Sequence, residues 1–337
     1  MSNKKILVLG TGGTIAGRSA VAGDNIGYRA AEVGVDDLLQ GLNLPSSALI
    51  GHVLEAVQVA QIDSKDMGPA VWQSLLLALN AGQADPDVVA MIITHGTDTI
   101  EETAFLLSCL LPSDKPIVLT CAMRPATALT PDGPQNLRDA ISVAVDTLAT
   151  GVLVVAAGQV HQAEHVMKVH SYRTDAFHSG DEGPCGCVEE GRVRWYHPLP
   201  RNESIALSED AQQTATCVIL SGAAWPRVEI VLSHAGVSGD GVDALMTQAN
   251  GPRPVQGLVV ACTGNGTIHH ELQAALERAS QAGVVVWRST RCLFGRIICA
   301  EGSPDSADPS AWRAVSFSPV KARLALALAL MSDSLAR

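Results

Sequence analysis

The chain has 337 residues, of which 47% are hydrophobic and 17% are charged. This composition indicates a folded globular protein, long enough for one large or two ordinary domains, and excludes an intrinsically disordered chain. The formal net charge of -11 and the lack of a lysine- or arginine-rich run argue against nucleic acid as a partner, because phosphate binding needs a basic surface.

The first apolar run, Ile6–Leu9, ends in glycines as a strand would, and it is too short for the core of a signal peptide. The apolar stretch Leu324–Met331 is interrupted by alanines and falls short of a membrane span. We therefore expect a cytoplasmic protein that has no membrane partner. Its eight cysteines are then expected to be reduced thiols.

Short β-branched runs alternate with helical patterns along the chain. Strands are predicted at Lys5–Leu9, Val88–Ile93, Ile117–Thr120, Val152–Ala156, Val228–Leu232, Leu258–Ala261 and Val284–Trp287. Helices are predicted at Met67–Asn80, Glu101–Leu111, Asn136–Ala149, Gly241–Gln248, His270–Ala282 and Pro319–Leu335. Because the strands are apolar on both faces, this alternation predicts an α/β fold with parallel sheets covered by helices.

One stretch, Tyr196–Asp210, carries prolines and charges and has little periodicity. It is typical of a connection between domains. The predicted organisation is a larger N-terminal catalytic α/β domain over residues 1–195, a linker over 196–213 and a smaller C-terminal α/β domain over 214–337.

A glycine-rich turn, Gly10–Gly17, directly follows the first strand. A dinucleotide-binding loop would need a small third residue where Ile15 stands, and the acidic residue expected at the end of a second strand is hard to place. The glycines would instead let the backbone approach a small ligand and hold Thr11 or Thr14 at the carboxyl edge of a parallel sheet. An ordinary strand–loop turn fits this motif as well.

A second and more specific motif, Ile92–Thr103, joins a predicted strand to a predicted helix. Thr99 and Glu102 have the spacing of a capping box, which gives these two residues a structural role. Thr97 and Asp98 are left as a hydroxyl and a carboxylate side by side at the end of a strand. Such a pair can offer a proton-transfer path and an anchor for a substrate ammonium group.

Two further features concern possible catalytic and metal-binding side chains. Lys168 lies in a polar stretch, where it is either a solvated surface lysine or a group that activates a threonine. His161 and His165 have the spacing of one helix face, but no convincing third ligand accompanies them, so we predict no metal site.

Four segments in this order and spacing resemble the bacterial-type L-asparaginase/glutaminase family: TGGTIAG, THGTDT-x-EET, AMRP and DGP-x-NL. The resemblance extends over nearly the whole chain and implies the same two-domain α/β architecture. It implies hydrolysis of L-asparagine to L-aspartate and ammonia through a threonine acyl-enzyme, without a metal or an organic cofactor. It also implies a homotetramer built as a dimer of dimers, with a small-molecule substrate as the other partner.

The resemblance assigns the catalytic roles by position. Thr14 corresponds to the family's nucleophile, and Tyr28 to a tyrosine on the loop after the glycine-rich turn. Thr97, Asp98 and Lys168 correspond to the family's second catalytic cluster. Either Tyr28, or Lys168 acting through Thr97, would take the proton of Thr14, and the sequence leaves both routes open.

The resemblance also implies a substrate-binding set in which Ser64 holds the substrate α-carboxylate and backbone amides of Thr97 and Ala122 stabilise the oxyanion. The set consists of Gly13, Asp63, Ser64, Lys65, Gly96, Ala122 and Glu301.

Three positions depart from the family pattern. Lys65 stands where many members carry a glutamine that touches the substrate α-carboxylate. Gly236 aligns with an amide side chain that some relatives contribute across a subunit interface. Glu301 is the nearest candidate for a glutamate donated by a neighbouring subunit, about one residue out of register. These departures leave the preference between asparagine and glutamine open.

Two other classes of protein fit parts of the pattern. The first is a binding protein for acidic amino acids that does not hydrolyse its ligand, although simple binding would not require two threonines and a lysine. The second is the amidase subunit of a tRNA-dependent amidotransferase, which shares this fold. Such a subunit normally carries an additional N-terminal domain, whereas here the glycine-rich turn begins about ten residues into the chain.

Overall fold

A computed structural model describes residues 4–21, 23–42, 44, 49, 51–111, 115–199, 207–247, 251–298 and 312–335 of the chain. The chain divides into two compact units, residues 1–205 and 206–337. Across the described ranges, no helix is both long enough and apolar enough to span a bilayer.

The N-terminal unit is built on a sheet of eight strands in the order β12-β11-β8-β7-β6-β5-β1-β4. Its strands are β1 (Lys5–Gly12), β4 (Val53–Ile62), β5 (Val88–Thr94), β6 (Ile117–Thr120), β7 (Val152–Ala156), β8 (Gln159–Gln162), β11 (Gly186–Glu189) and β12 (Arg192–Trp195). The five strands from β4 to β7 along this order run parallel, and the last three pair antiparallel. Two small ribbons lie outside the sheet, β2 (Arg18–Ser19) with β3 (Tyr28–Arg29), and β9 (Met167–Lys168) with β10 (Phe177–His178).

The helices of this unit are α1 (Val35–Gln40), α2 (Pro69–Ala84), α3 (Ile100–Leu110) and α4 (Gly133–Ala144). Their apolar faces are buried, as are both faces of the central strands β5, β6 and β7. Apolar burial of this kind is the main favourable contribution to folding. The predicted α/β class, with a parallel-rich sheet covered by helices, is confirmed.

The strand order places a topological switch point beside β1. From β1 the chain crosses to β4 on one side and then to β5 on the other side. In open parallel sheets of this kind, ligands bind outside the carboxyl ends of the strands where the order reverses. The loops that follow β1 and β5 therefore lie at the expected ligand site.

The C-terminal unit contains a smaller, all-parallel sheet in the order β13-β14-β15-β16. Its strands are β13 (Arg227–Leu232), β14 (Val255–Cys262), β15 (Val285–Thr290) and β16 (Arg313–Ala314). Its helices are α5 (Glu209–Leu220), α6 (Asp240–Met246), α7 (His270–Gln281) and α8 (Pro319–Leu335). This arrangement matches the predicted smaller α/β domain in class.

Two local predictions need correction here. The linker was predicted to extend to residue 213, but α5 begins at Glu209. Ser208 accepts a hydrogen bond from the Ala211 amide as the N-cap, and acidic residues fill the first turn, which is a favourable helix start. His161 lies on strand β8 rather than on a helix, so its spacing to His165 does not define one helix face.

Candidate active site

The loops that follow β1 and β5 touch through two glycines. Gly12 and Gly13 have φ angles of 102° and 80°, a region that residues with a side chain rarely adopt. A Cβ atom on Gly13 would lie 2.3 Å from the Cα atom of Gly96, and one on Gly96 would lie 2.5 Å from the Ser64 hydroxyl oxygen. Three segments of the chain therefore meet at one point, and only glycine allows this approach.

Hydrogen bonds tie the glycine-rich turn to both strands that flank β1. The Thr11 hydroxyl donates to the carbonyl of Thr94, at the end of β5, over 2.9 Å. The Gly13 amide donates to the carbonyl of Ile62, at the end of β4, over 2.8 Å. Thr14, the next residue, is thereby held at the carboxyl edge of the sheet.

The hydroxyl groups of Thr14 and Tyr28 lie 2.7 Å apart, and either can donate the hydrogen bond. Thr14 begins a short 3-10 turn and is buried. Tyr28 reaches it because β3 pairs antiparallel with β2, with Tyr28 opposite Ser19. A Cβ atom on Gly17 would lie 2.8 Å from the Tyr28 ring, so the ring passes directly over this glycine.

A second cluster consists of Thr97, Asp98 and Lys168. The Lys168 ammonium group donates to the Thr97 hydroxyl over 2.8 Å and to the Asp98 carboxylate over 2.6 Å. The Lys168 side chain is only 17% exposed, so it is not a solvated surface lysine. A lysine withdrawn from water needs acceptors such as these.

Ser64 links the second cluster to the glycine contact. It is buried, and its hydroxyl oxygen accepts a hydrogen bond from the Asp98 amide over 3.2 Å. Its carbonyl accepts from the Thr99 hydroxyl over 2.8 Å. Because the Ser64 oxygen accepts from Asp98, the Ser64 hydroxyl hydrogen can point to a ligand.

The bond between Thr99 and Ser64 corrects the predicted capping box. Thr99 is the N-cap of α3, but its side chain makes no capping hydrogen bond and donates to Ser64 instead. The Glu102 amide is bonded to the Thr99 backbone carbonyl. A tertiary contact has replaced the local one that the spacing predicted.

Asp63 and Lys65 flank Ser64 and bind each other. The Lys65 ammonium group lies 3.0 Å from Asp63 and 3.1 Å from Asp66, and the Lys65 side chain is 62% exposed. Hydrogen bonds that the Lys65 ammonium group donates to Asp63 and Asp66 raise the pKa of Lys65. The structure therefore brings Ser64 to the glycine contact and leaves the Lys65 charge at the surface between two carboxylates.

Ala122 is fully buried directly after β6. The loop it begins is fixed by Asp132, whose carboxylate accepts from the amides of Met123 and Arg124, both over 2.9 Å. A Cβ atom on Gly133 would lie 2.9 Å from the Ile15 side chain and 3.3 Å from Ala122. Ala122 is thus packed near the turn that carries Thr14.

A buried chain of hydrogen bonds supports the turn before Thr97. His95 lies 2.7 Å from the Gly96 carbonyl through Nδ1 and 2.9 Å from the Thr103 hydroxyl through Nε2, and the Trp72 indole donates to that hydroxyl over 3.0 Å. The carbonyl can only accept, so Nδ1 carries the proton and Thr103 donates to Nε2. Complete burial lowers the pKa of His95 to about 4, which keeps the ring neutral.

The resemblance also singled out Glu301 and Gly236. Glu301 lies outside the described residues. Gly236 belongs to the C-terminal unit and has a φ of 71°. Among the residues that the structure describes, no group of three or more His, Cys, Asp or Glu side chains could hold a metal ion.

The sequence did not assign a role to Glu101 beyond the start of a helix. Its carboxylate accepts a hydrogen bond from the Lys168 amide over 2.5 Å, across 67 residues of chain. An acidic residue in a first helical turn is common for reasons of helix stability alone. The sequence therefore offered no signal for this contact.

Comparison with known proteins places both units in one family. The family model described as "Asparaginase, N-terminal" matches residues 5–201, and the one described as "Glutaminase/Asparaginase C-terminal domain" matches residues 227–335.

Similar proteins and structures cover nearly the whole chain. A "Glutaminase-asparaginase" of Pseudomonas fluorescens is 35% identical over 96% of this chain and 86% of its own length. A "Probable L-asparaginase periplasmic" of Haemophilus influenzae is 32% identical over 96% of this chain and 88% of its own. The crystal structure of a "Probable Cytoplasmic L-asparaginase" from Campylobacter jejuni superposes with a TM-score of 0.85 at 32% identity, over 97% of this chain and 95% of that one. With both halves matched by its models, and with such identity over nearly its full length, this chain belongs to the asparaginase family.

Proposed function

We propose that this chain is an L-asparaginase, which hydrolyses the side-chain amide of L-asparagine to L-aspartate and ammonia. The observation that carries the proposal is the meeting of two hydroxyl clusters beside one glycine contact. Thr14 with Tyr28 follows β1, and Thr97 with Lys168 follows the neighbouring strand β5. L-glutamine is the second substrate to be tested, because the glutaminase-asparaginase relative is as similar as the asparaginases.

In the first half of the proposed reaction, the Thr14 oxygen attacks the amide carbonyl. A threonine hydroxyl is a weak nucleophile until a neighbouring group takes its proton. The Tyr28 oxygen, 2.7 Å away, is in direct hydrogen-bond contact with the Thr14 hydroxyl, which favours Tyr28 over the longer route through Thr97 and Lys168. Backbone amides of Thr97 and Ala122 would stabilise the oxyanion, and ammonia leaves.

In the second half, water hydrolyses the acyl-enzyme on Thr14 and releases aspartate. Lys168 donates to Thr97 and Asp98, so the Thr97 oxygen is an acceptor for Lys168 and its own hydrogen can bond the attacking water. We assign to Lys168 the role of orienting Thr97, and to Asp98 the roles of holding Lys168 and anchoring the substrate ammonium group.

The substrate α-carboxylate would bind at Ser64, whose hydroxyl hydrogen can point to it. Gly13, Gly96 and Asp63 would shape the same pocket, and Lys65 would add positive charge at its rim. The proposal needs no metal or organic cofactor.

We also propose that the working form is a homotetramer made of two close dimers, with Glu301 of one subunit reaching the site of another. A closed symmetric assembly is the usual form of a soluble oligomer. We propose a cytoplasmic location as well. The relatives do not decide it, because one of them is named as a periplasmic protein and another as a cytoplasmic one.

Steady-state ammonia release from L-asparagine, D-asparagine and L-glutamine, measured side by side, tests the function. We expect turnover of L-asparagine, and a fall by orders of magnitude in Thr14→Ala and in Thr97→Ala with the fold intact by circular dichroism. Thr247→Ala, on an exposed threonine of the C-terminal unit, is the matched control and keeps wild-type turnover. Binding of asparagine by the wild type without ammonia release would show instead a non-hydrolytic binding protein.

A further inference from the structure

Lys168 is attached to the Thr97 segment at two points rather than one. Its ammonium group binds the side chains of Thr97 and Asp98, and its backbone amide donates to the carboxylate of Glu101. Thr97 and Asp98 lie in the short stretch that joins β5 to α3, and Glu101 lies in the first turn of α3. The backbone and the charged end of the same lysine are thus fixed to one rigid strand–helix junction.

Strand β9, which carries Lys168, cannot by itself fix the position of the lysine. β9 has two residues and pairs with β10, of equal length, in a ribbon separate from the eight-stranded sheet. Isolated two-stranded ribbons are marginally stable in water. A lysine side chain also has several rotatable bonds, so its ammonium group is placed only as well as its backbone is.

The hydrogen bond from the Lys168 amide to the Glu101 carboxylate is of a strong kind. A hydrogen bond from an amide to an ionised carboxylate is shorter and stronger than one between neutral groups. Glu101 stands in the first turn of α3, where the helix dipole favours its negative charge. The helix is held in place by its own buried residues, among them Ile100, Ala104 and Phe105.

We propose that Glu101 is a positioning residue, which fixes the backbone of Lys168 so that the ammonium group meets Thr97 and Asp98. This inference rests on the proposed function, because it assigns Glu101 to the step that Lys168 and Thr97 serve. Because Glu101 acts on the backbone of Lys168, its loss is expected to affect turnover more than substrate binding.

Kinetics of Glu101→Ala and Glu101→Gln on L-asparagine test the proposal. Glu101→Ala is expected to lower kcat about 10- to 100-fold with KM near the wild-type value, the cost of misplacing a reacting group by about 1 Å. Glu101→Gln keeps a carbonyl oxygen as acceptor and is expected to recover most of the lost kcat. Glu102→Ala, which removes the neighbouring acid of the same helical turn, is the matched control and stays within about twofold.

The same change made in a Lys168→Met background separates positioning from a general structural effect. If Glu101 acts through Lys168, Glu101→Ala lowers the residual kcat of Lys168→Met no further. An equal fold-loss in both backgrounds would overturn the proposal, as would a Glu101→Ala enzyme with wild-type kcat.

Chemical labelling gives a readout that does not depend on the reaction. Acetic anhydride labels lysines according to their accessibility, and mass spectrometry reads each site. Lys168 is expected to label several-fold faster in Glu101→Ala than in the wild type, whereas Lys115, which donates to two carbonyls elsewhere in the same unit, keeps its rate. Unchanged labelling of Lys168 would count against the proposal. The wild type could release no ammonia while the labelling of Lys168 still depends on Glu101. That result would contradict the proposed function but would support the proposal that Glu101 holds the backbone of Lys168.

Discussion

At the scale of single residues, the candidate site depends on glycines, which have no side chain, as much as on the residues that carry hydroxyl groups. Gly13 and Gly96 bring two loops into van der Waals contact, and the residues that follow them carry the hydroxyl groups. A sequence shows that glycines are there but not which backbone they touch. The positions of Thr14 and Thr97 could therefore be predicted as loop positions, whereas their common location depends on the contact between glycines.

Gly13→Ala is expected to abolish most asparaginase activity, by more than about 100-fold. The added methyl group would overlap the Gly96 backbone, so the two loops must separate and the hydroxyl clusters move apart. The measurement is kcat for ammonia release together with the free energy of unfolding.

Gly183→Ala is the control for this change. Gly183 has a φ of 68°, close to the 80° of Gly13, but nothing lies within 4 Å of the position of its Cβ atom. Both variants are expected to lose about 1–2 kcal/mol of stability from the left-handed backbone, and only Gly13→Ala loses activity. Equal activity in the two variants would show that the glycine contact does not set the site.

At the scale of elements, the strand predictions are most accurate for strands that are buried on both faces. The strands buried on both faces, such as Val152–Ala156, were predicted to within a few residues, because an uninterrupted apolar run reports burial directly. β4 was missed because it is an edge strand with an alternating, half-exposed pattern and polar residues such as Glu55 and Gln58. The strands between residues 159 and 195 were also missed, because they are short, carry polar residues and contain no comparable apolar run.

The candidate site residues have a different origin. Thr14, Tyr28, Thr97, Asp98 and Lys168 came from a resemblance, and the structure brings them into two hydrogen-bonded clusters. Periodicity could not have joined Lys168 to Thr97, since 71 residues separate them in the sequence. For the same reason the tertiary contacts of Thr99 and Glu101 lay beyond any local rule.

The turn between β5 and α3 makes stability depend on pH. The pKa of His95 is lowered to about 4 by burial, whereas an unfolded histidine titrates near 6.5. Between these values the unfolded chain binds a proton that the folded protein does not, so stability falls as the pH falls from about 6.5 to about 4. The loss approaches about 3 kcal/mol at the lower end of this window.

Unfolding free energies of the wild type and of His95→Gln between pH 4 and 7 check this expectation. The wild type is expected to lose its advantage over His95→Gln as the pH falls, with a constant difference above about pH 6.5. Comparison with a variant is needed because burial raises the pKa of Asp139 to about 6, which makes stability rise on acidification in an overlapping range. A difference between the two proteins that does not vary with pH would contradict a buried, neutral His95.

At the scale of the whole molecule, the described clusters all come from the N-terminal unit, although the family models extend over both. The C-terminal unit has its own sheet and core. In the proposed tetramer the C-terminal unit also contributes to catalysis, because Glu301 of one subunit would complete the site of another. A symmetric interface makes that exchange reciprocal, so each subunit gives one glutamate and receives one.

Complementation between two inactive variants tests whether the site is shared. Thr14→Ala lacks the nucleophile and Glu301→Ala lacks the donated carboxylate, so each is expected to be nearly inactive alone. When the two are unfolded together and refolded as a mixture, a site is complete only if its Thr14 comes from the Glu301→Ala chain and its glutamate from the Thr14→Ala chain. Random pairing makes about a quarter of the sites complete, and ammonia release should return to about that fraction of the wild type. A site made within one chain predicts no recovery at any mixing ratio, because no chain then carries both residues.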